Sequence, residues 1–556
     1  MALPLVHAWG APLGEPVAED FDFLHHLLFS SSHSLLDGGG SKSFWRPVAQ
    51  QLYYRGLGGL MLSHPGLVAA LHTLLLGLAT LLFYRALRRV WPGTQAALAA
   101  SFPILCESSR QLIAWPGHSA DLGAWLFTAI AVRELSRNRL WTMLAALLAA
   151  LLSKEVAVVA ALALPWLPRI GPTGWRSRAR WAGASGLLVL LWALAYLGVR
   201  RHAGLELPHG LEATATTLGV PLLERLLWAV VNSLRAMFSL PAAPVPWEGW
   251  VAGAIGVLVL AAAAFLLPSP AGRARLAAAR SLALWGLAWF VAAAATLTPV
   301  HPFWAPNRAC YLGIGFGVTS AAVLGACHPG LLAAFTLLRL GAFALSPGPP
   351  ATVTAKPPDT GAFVDFQRLV RLQLLVRDTR RVLEERFSKL SAGSAVSYYY
   401  LPPRTEYAFG GDRALQVWYH DSTLRWLPLP AYLAHPTRPV VAFIEFKRFG
   451  HPQIALVEPA AMRRYLAAAD ALRGRDYPKA LAELAAADSL QPGGEAITFP
   501  ASVAGARAVC LLGLGRTEEA LSQARRSLAL WPESPDALLV LDSLARSPAR
   551  GTKARK

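Results

Sequence analysis

The sequence predicts a mainly α-helical chain: a polytopic membrane domain, then a small α/β module, then an all-α repeat domain. Three observations carry this. Of the 556 residues 54% are hydrophobic and only 15% charged, with a mean hydropathy of +0.39, a composition that fits a chain embedded in lipid better than one soluble globule. The apolar residues gather into about ten segments between residues 66 and 346, long enough in the main to enter a bilayer and divided by arginine-bearing loops. Beyond residue 346 the composition turns polar, and one pattern recurs at an offset of forty residues.

Residues 1–65 hold no apolar run of span length and no basic segment leading into an apolar one, so neither a span nor a signal peptide is expected there. They carry the acidic stretch Glu19-Asp20-Phe21-Asp22 and the segment Phe44-Trp45-Arg46-Pro47. By composition alone such an acidic cluster reads first as a solvated helix start and second as a candidate site. The first span is Gly66 to Ala86; further segments follow at 93–106, 119–134, 140–152, 155–168, 181–199, 250–267, 281–298, 310–326 and 330–346. Arginines fall in every second loop, at Arg85, Arg88 and Arg89, at Arg133, Arg137 and Arg139, at Arg169, Arg176, Arg178 and Arg180, and at Arg273, Arg275 and Arg280. These loops are expected to be cytoplasmic. The formal charge of +19 therefore reads as topology, and a nucleic-acid partner is not expected.

This orientation sends residues 1–65, the loop around Glu107 to His118, the loop 200–249, the segment 299–309 and everything past residue 347 to the outer face. An outer start without an export signal leads to the expectation of one more span upstream. Trp115, Trp141, Trp166, Trp181, Trp247, Trp250 and Trp304 stand at segment ends as interfacial anchors. Leu222 to Leu240, apolar but broken by Glu224, Arg225, Asn232 and Arg235, reads as a helix lying in the interface. Cys106, Cys310, Cys327 and Cys510 form no CxxC pair and read as apolar fillers, the shared face of the first two leaving a disulfide between them open. Gly313, Gly315 and Gly317 read as close helix packing.

The remaining boundaries follow composition. Residues 347–361 are a proline-rich linker, 362–458 an α/β module, 459–545 a repeat domain and 546–556 a basic tail. Within the module Phe363 to Leu390 is an amphipathic helix, and Ala395 to Leu401, Leu415 to Tyr419, Val440 to Phe446 and Ile454 to Val457 read as strands. In the repeats Tyr477, Ala480, Leu484, Ala487 and Pro492 recur as Thr517, Ala520, Ala524, Ser527 and Pro532, the small and turn-forming positions of a tetratricopeptide unit, expanded around Gly493 to Pro500 and followed by a helix from Asp536 to Leu544.

An acidic motif before an aromatic-Arg-Pro motif, many spans and trailing tetratricopeptide repeats resemble GT-C type membrane glycosyltransferases, in particular the branch similar to protein O-mannosyltransferases. Glu19-Asp20, Phe44 to Pro47, His64 with His72, Trp115 to Leu122, Ser153-Lys154-Glu155 and Asn307 to Leu312 carry the likeness. The chain departs from the family in lacking its first span, in Asn307 where many relatives have an acid, and in Leu312-Gly313 where they have Leu-Pro.

The resemblance implies an inner-membrane enzyme of a bacterium, an origin in keeping with arginine supplying 44 of the 52 basic residues. It would move a sugar from a polyprenyl-phosphate carrier to a protein or glycan acceptor on the periplasmic side. Asp20 is then expected as general base, with Glu19 and Asp22 supporting it or, in metal-dependent relatives, holding a divalent cation such as Mg or Mn. Arg308 is the expected phosphate ligand, against the alternative of an interfacial arginine. Arg46 either shares that charge or fixes its loop by pairing with Glu19 or Asp22. His72, His118 and Asp121 are supporting residues, the histidines also reading as hydrogen-bonded interfacial side chains; Lys154 and Glu155 are supporting or a structural ion pair. The repeats are expected to bind a protein partner. The rival expectation is a non-catalytic membrane scaffold for envelope assembly, whereas a transporter fits poorly because the ionisable residues gather at span ends.

Overall fold

The structure is a computed structural model that describes residues 2–32, 34–206, 219–240, 245–266, 268, 270–350, 364–434, 439–446, 454–491 and 498–546. These fall into two compact units, one of residues 2–350 with 364–374, the other of residues 375–546. The linker past residue 350, Pro492, the repeat expansion up to residue 497 and the tail past residue 546 lie outside the described residues.

The first unit is helical throughout. Every expected apolar segment holds helix, and among the described residues four helices are long and apolar enough to cross a membrane by themselves: Pro65–Leu87, Trp175–His202, Pro270–Val300 and Pro306–Cys327. Leu140–Ser153, Glu155–Trp166, Glu248–Ala264 and Pro329–Leu345 are apolar but shorter. Segment 93–106 breaks into Gly93–Ser101 and a 3-10 turn at Phe102–Ile104, because Pro103 has no amide hydrogen to continue the helix. Ser119–Ser136 carries Asp121, Arg133 and Glu134 along its length. On Trp175–His202, Leu187, Leu190, Leu191, Leu194 and Leu197 stand exposed, the apolar surface expected where lipid covers a helix.

Close packing holds the interior together. A Cβ on Gly286 would stand 2.5 Å from the carbonyl oxygen of Gly315, and one on Gly315 would stand 2.4 Å from that of Gly286, so two long helices cross with their backbones touching. Phe83 meets Trp125 edge-on at 5.3 Å in the same core. Arg339 is 3% exposed; its guanidinium donates to Phe102 O, Leu105 O and Met237 O and lies 3.5 Å from the Phe102 ring, drawing two helix C-termini together. All four cysteines are buried free thiols, which closes the option of a Cys106–Cys310 disulfide. Trp141 and Trp250 are largely exposed, as anchors are, but Trp115, Trp181 and Trp304 are buried and fill the interior.

Residues 2–63 are also more ordered than a loop. They form Ala2–His7, Asp20–Phe29, a π-helix at Pro47–Leu52 and Tyr53–Ser63. Residues 364–374 belong to this unit too: Gln373 Nε2 donates to the carbonyls of Glu15 and Ala114, and Gln111 Nε2 to that of Val364.

In the second unit β1 (Ala395–Tyr399), β2 (Arg425–Pro428), β3 (Val440–Phe446) and β4 (Ile454–Val457) form a sheet of order β2-β1-β3-β4, with β1 parallel to β2 and β3, and β4 antiparallel to β3. The expected strand Leu415 to Tyr419 is instead the helix Arg413–Tyr419, and β2 takes its place. The helices Pro459–Arg473 and Tyr477–Leu490 pack as one hairpin, Thr498–Gly513 and Thr517–Leu530 as another, followed by Pro535–Arg546. The recurring Ala480, Leu484, Ala487, Ala520, Ala524 and Ser527 are all fully buried at these contacts. Sheet and hairpins share a core, and buried Glu445 on β3 accepts from the first amides of Thr498–Gly513, Thr498 N at 2.8 Å and Phe499 N at 2.9 Å, as well as from Tyr399 OH at 2.9 Å.

Candidate functional site

The residues singled out by sequence gather on one side of the first unit. Ala18 takes a left-handed turn (φ +53°), which sets Glu19 at the start of Asp20–Phe29 and folds the Asp20 side chain back. Asp20 is fully buried. Its Oδ2 accepts from Val17 N at 2.7 Å and Trp115 Nε1 at 2.8 Å, and its Oδ1 from the Tyr54 hydroxyl. Burial pushes its pKa up to about 7, while the three donors pull the other way. Gly117 admits this contact, since a Cβ there would stand 3.1 Å from Oδ1.

Two histidines lie behind it. His72 Nδ1 is 2.7 Å from Leu112 O and therefore carries the proton, leaving Nε2 to accept from Tyr53 OH at 2.5 Å. His118 Nδ1 likewise donates to Gln111 O at 3.1 Å, its ring 4.5 Å from that of Trp115 and its pKa lowered to about 4 by burial. Both rings are thus held by backbone carbonyls.

Beside this buried network lies an ionic one. Arg46 forks onto Glu155, Nε at 3.0 Å from Oε1 and Nη2 at 2.7 Å from Oε2, and lies 4.0 Å above the Phe44 ring. Lys154 Nζ sits 2.6 Å from both oxygens of Asp121, whose Oδ2 also accepts from Asn307 Nδ2 at 2.8 Å. Gln111 Oε1 holds the Asn307 amide at 3.0 Å. These pairings differ from the ones the sequence offered among its alternatives, Arg46 with Glu19 or Asp22 and Lys154 with Glu155: neighbours in sequence cross over to different partners. Arg308 donates through Nη1 to Phe303 O at 2.5 Å.

Glu19 faces this network. Its side chain reaches solvent, yet burial is the largest influence on it and raises its pKa; Arg46, Lys154 and Arg308 counter that rise, and Asp22 adds to it. One exposed carboxylate and three cations from segments that lie far apart in the chain thus share one ionic cluster, the recess of the candidate site.

Of the expected residues, then, Glu19, Arg46, Asp121, Lys154, Glu155 and Arg308 are assembled, Asp20, His72 and His118 lie in the wall behind, and Asp22 is half-buried on the next turn. Glu19, Asp20 and Asp22 do not gather as a ligand set: both Asp20 oxygens are taken by donors, and among the described residues no group of three His, Cys, Asp or Glu side chains is placed to hold a metal. The sequence reading missed Tyr54, Gln111 and the role of Trp115. No protein-family model matches this chain, and a search of curated proteins returns no match.

Proposed function

We propose that the chain is a membrane glycosyltransferase of the GT-C kind, moving a sugar from a polyprenyl-phosphate carrier to a protein or envelope-glycan acceptor at the outer face of the membrane. The observation that carries the reading is the recess in which the open Glu19 carboxylate lies in the field of Arg46, Lys154 and Arg308. Transfer needs a base for the acceptor hydroxyl and cations for the phosphate on which negative charge collects. Lys154 and Arg46 are already neutralised by Asp121 and Glu155, whereas the Arg308 guanidinium bonds a backbone carbonyl and keeps its charge for a ligand.

In this reading Glu19, rather than the sequestered Asp20, removes the acceptor proton. The acceptor oxygen bonds the sugar C1 as the C1–O bond to phosphate breaks, inverting that carbon, and Arg308 receives the freed phosphate. Asp20 holds the Glu19 turn through Tyr54 and Trp115. A second feature supports the reading: an apolar cavity of about 460 Å³ along the helix Pro306–Cys327, lined by Phe238, Ile255, Phe316 and Phe335 among others, offers room for a lipid tail. The hairpins of the second unit, read as tetratricopeptide repeats, hold the acceptor or a partner protein.

The test compares glycan and glycoprotein masses of envelopes from cells lacking the protein, complemented with wild type, Glu19→Gln or Arg308→Met at matched membrane levels. A sugar-sized mass restored by wild type and by neither variant is expected. Equal restoration by all three removes the recess from the chemistry, and no mass difference in any strain transfers the reading to a scaffold that recruits envelope proteins.

A further inference from the structure

Residues 364–374 touch both of the arms that carry the recess. The arm of Arg308 is held through Gln111. Its Nε2 donates to Val364 O at 2.7 Å while its Oε1 accepts from Asn307 N at 3.0 Å, and Val364 N donates in turn to Trp304 O at 2.9 Å. Two neighbours on the same helix join in: Ser108 Oγ donates to Pro306 O at 2.6 Å, and Glu107 Oε1 accepts from Phe366 N at 3.1 Å. The arm of Glu19 is held through Gln373. Its Nε2 donates to Glu15 O at 2.9 Å, four residues before Glu19, and to Ala114 O at 2.7 Å, which also accepts from Gly14 N at 2.8 Å. Glu107, Ser108, Gln111 and Ala114 share one face of Glu107–Ala114, while Phe366 and Gln373 lie about two turns, or about 10 Å, apart along Phe366–Arg386.

We propose that Gln111 and Gln373 are positioning residues for the transfer step, which with the segment 364–374 brace the Arg308 arm and the Glu19 arm at one separation, so that phosphate ligand and base meet the same substrates. The inference rests on the transferase reading above. Both glutamines are fully buried. The Gln111 amide faces an N–H with its oxygen and a carbonyl with its nitrogen, so it cannot turn without losing both bonds. Such a brace reaches the chemistry from a distance, because a misplacement of about 1 Å at reacting groups costs about a hundredfold in rate. The two arms have different tasks, and the two glutamines therefore fail differently. Loosening the Arg308 arm weakens phosphate binding, whereas loosening the Glu19 arm spares binding and removes transfer.

The test uses Gln111→Met and Gln373→Met in full-length protein, with Arg308→Met as reference. Methionine keeps the side chain long and unbranched, and at Gln373 it also removes an oxygen, Oε1, that has no partner. Protein in detergent is titrated with farnesyl phosphate, a short isoprenyl phosphate, and followed by peptide-resolved hydrogen exchange; envelopes of complemented cells are compared by sugar mass. Gln111→Met is expected to bind the probe about tenfold or more weakly, with faster exchange over residues 303–310. Gln373→Met is expected to bind it as wild type does, to restore about tenfold less sugar or lower, and to exchange faster over residues 14–20. Amides of Pro65–Leu87 stay at wild-type exchange in both, which separates a loosened arm from a lost fold. Wild-type affinity and sugar mass in both variants overturn the brace, as does an equal loss of both readouts in both, the mark of a merely structural role. Failure of the transferase reading looks different: wild type that binds no farnesyl phosphate, or Arg308→Met that binds it fully, overturns that reading, and the exchange over the two arms then decides the brace alone.

Discussion

The division of labour between adjacent carboxylates is the sharpest claim, and Asp20→Asn against Glu19→Gln tests it. Asp20 accepts three buried hydrogen bonds, from Val17 N, Trp115 Nε1 and Tyr54 OH. An asparagine keeps one accepting oxygen and turns an NH₂ group toward donors. Stranding one or two buried donors costs about 1–3 kcal/mol each, so Asp20→Asn loses about 2–4 kcal/mol from the turn it holds. At about 1.4 kcal/mol per tenfold, amides of residues 15–29 exchange about 30- to 700-fold faster if local opening governs their exchange. Glu19→Gln touches no such bond and leaves that exchange near wild type, while removing the open negative charge from the recess and with it sugar transfer. The assay is peptide-resolved hydrogen exchange on protein in detergent, paired with envelope glycan masses. An Asp20→Asn protein with wild-type protection but no transfer would refute the reasoning and return the base to Asp20.

Other outcomes follow from the same geometry. Burial raises the Asp20 pKa from 3.8 to about 7. Between those values the folded turn keeps a proton that the unfolded chain has lost, so its stability is greatest below about pH 4 and falls as pH rises toward 7. Protection of residues 15–29, corrected for intrinsic exchange, should decline over that window in wild type and stay flatter in Asp20→Asn. Arg339→Met leaves the carbonyls of Phe102, Leu105 and Met237 without their donor, a loss of about 3 kcal/mol or more, read as a lower midpoint of thermal unfolding in detergent; an unchanged midpoint would mean that water replaces the guanidinium. Glu445→Ala strands Thr498 N, Phe499 N and Tyr399 OH, and these charge-assisted bonds are together worth about 4 kcal/mol. Its check is faster exchange at the start of Thr498–Gly513, with the amides of Pro65–Leu87 unaffected.

Much of the fold was legible because its signals are long. Apolar runs of helical length, the proline and glycine breaks between them, and small residues recurring forty apart all report on burial, which the chain shows directly. Short signals misled. Leu415 to Tyr419 is rich in strand-forming Val, Trp and Tyr, but five residues are too few to separate a strand from a helix. The local structure is set by partners elsewhere: Gln416 Nε2 reaches Ser422 O and Leu424 O, and Asp412 accepts from Trp426 N. The strand Arg425–Pro428 has four residues and ends in proline, so no pattern announces it. Apolar content fixes where a helix is buried and not whether lipid or protein buries it, so it sets no exact number of spans.

The charged residues of the recess stood out because ionisable groups are rare in so apolar a chain, yet their pairing was hidden. Arg46 with Glu155 and Lys154 with Asp121 are choices made by packing between segments tens to a hundred residues apart, and adjacency in sequence pointed to the wrong partners. The assignment of the base turned on something smaller still. Consecutive residues of a helix point about 100° apart, so of Glu19 and Asp20 only one could face the recess while the other met Tyr54 and Trp115. Which one depends on the phase at which the helix starts. That phase is set by the left-handed turn at Ala18, a conformation that an alanine does not advertise and a glycine would have. Trp115 was read as a membrane anchor on the strength of its place at a segment end, although an indole N–H taken from water needs an acceptor, and a buried carboxylate lacks a donor. Seeking partners for both at once, rather than placing each against the bilayer, is the step that brings Asp20 into the wall and leaves Glu19 open.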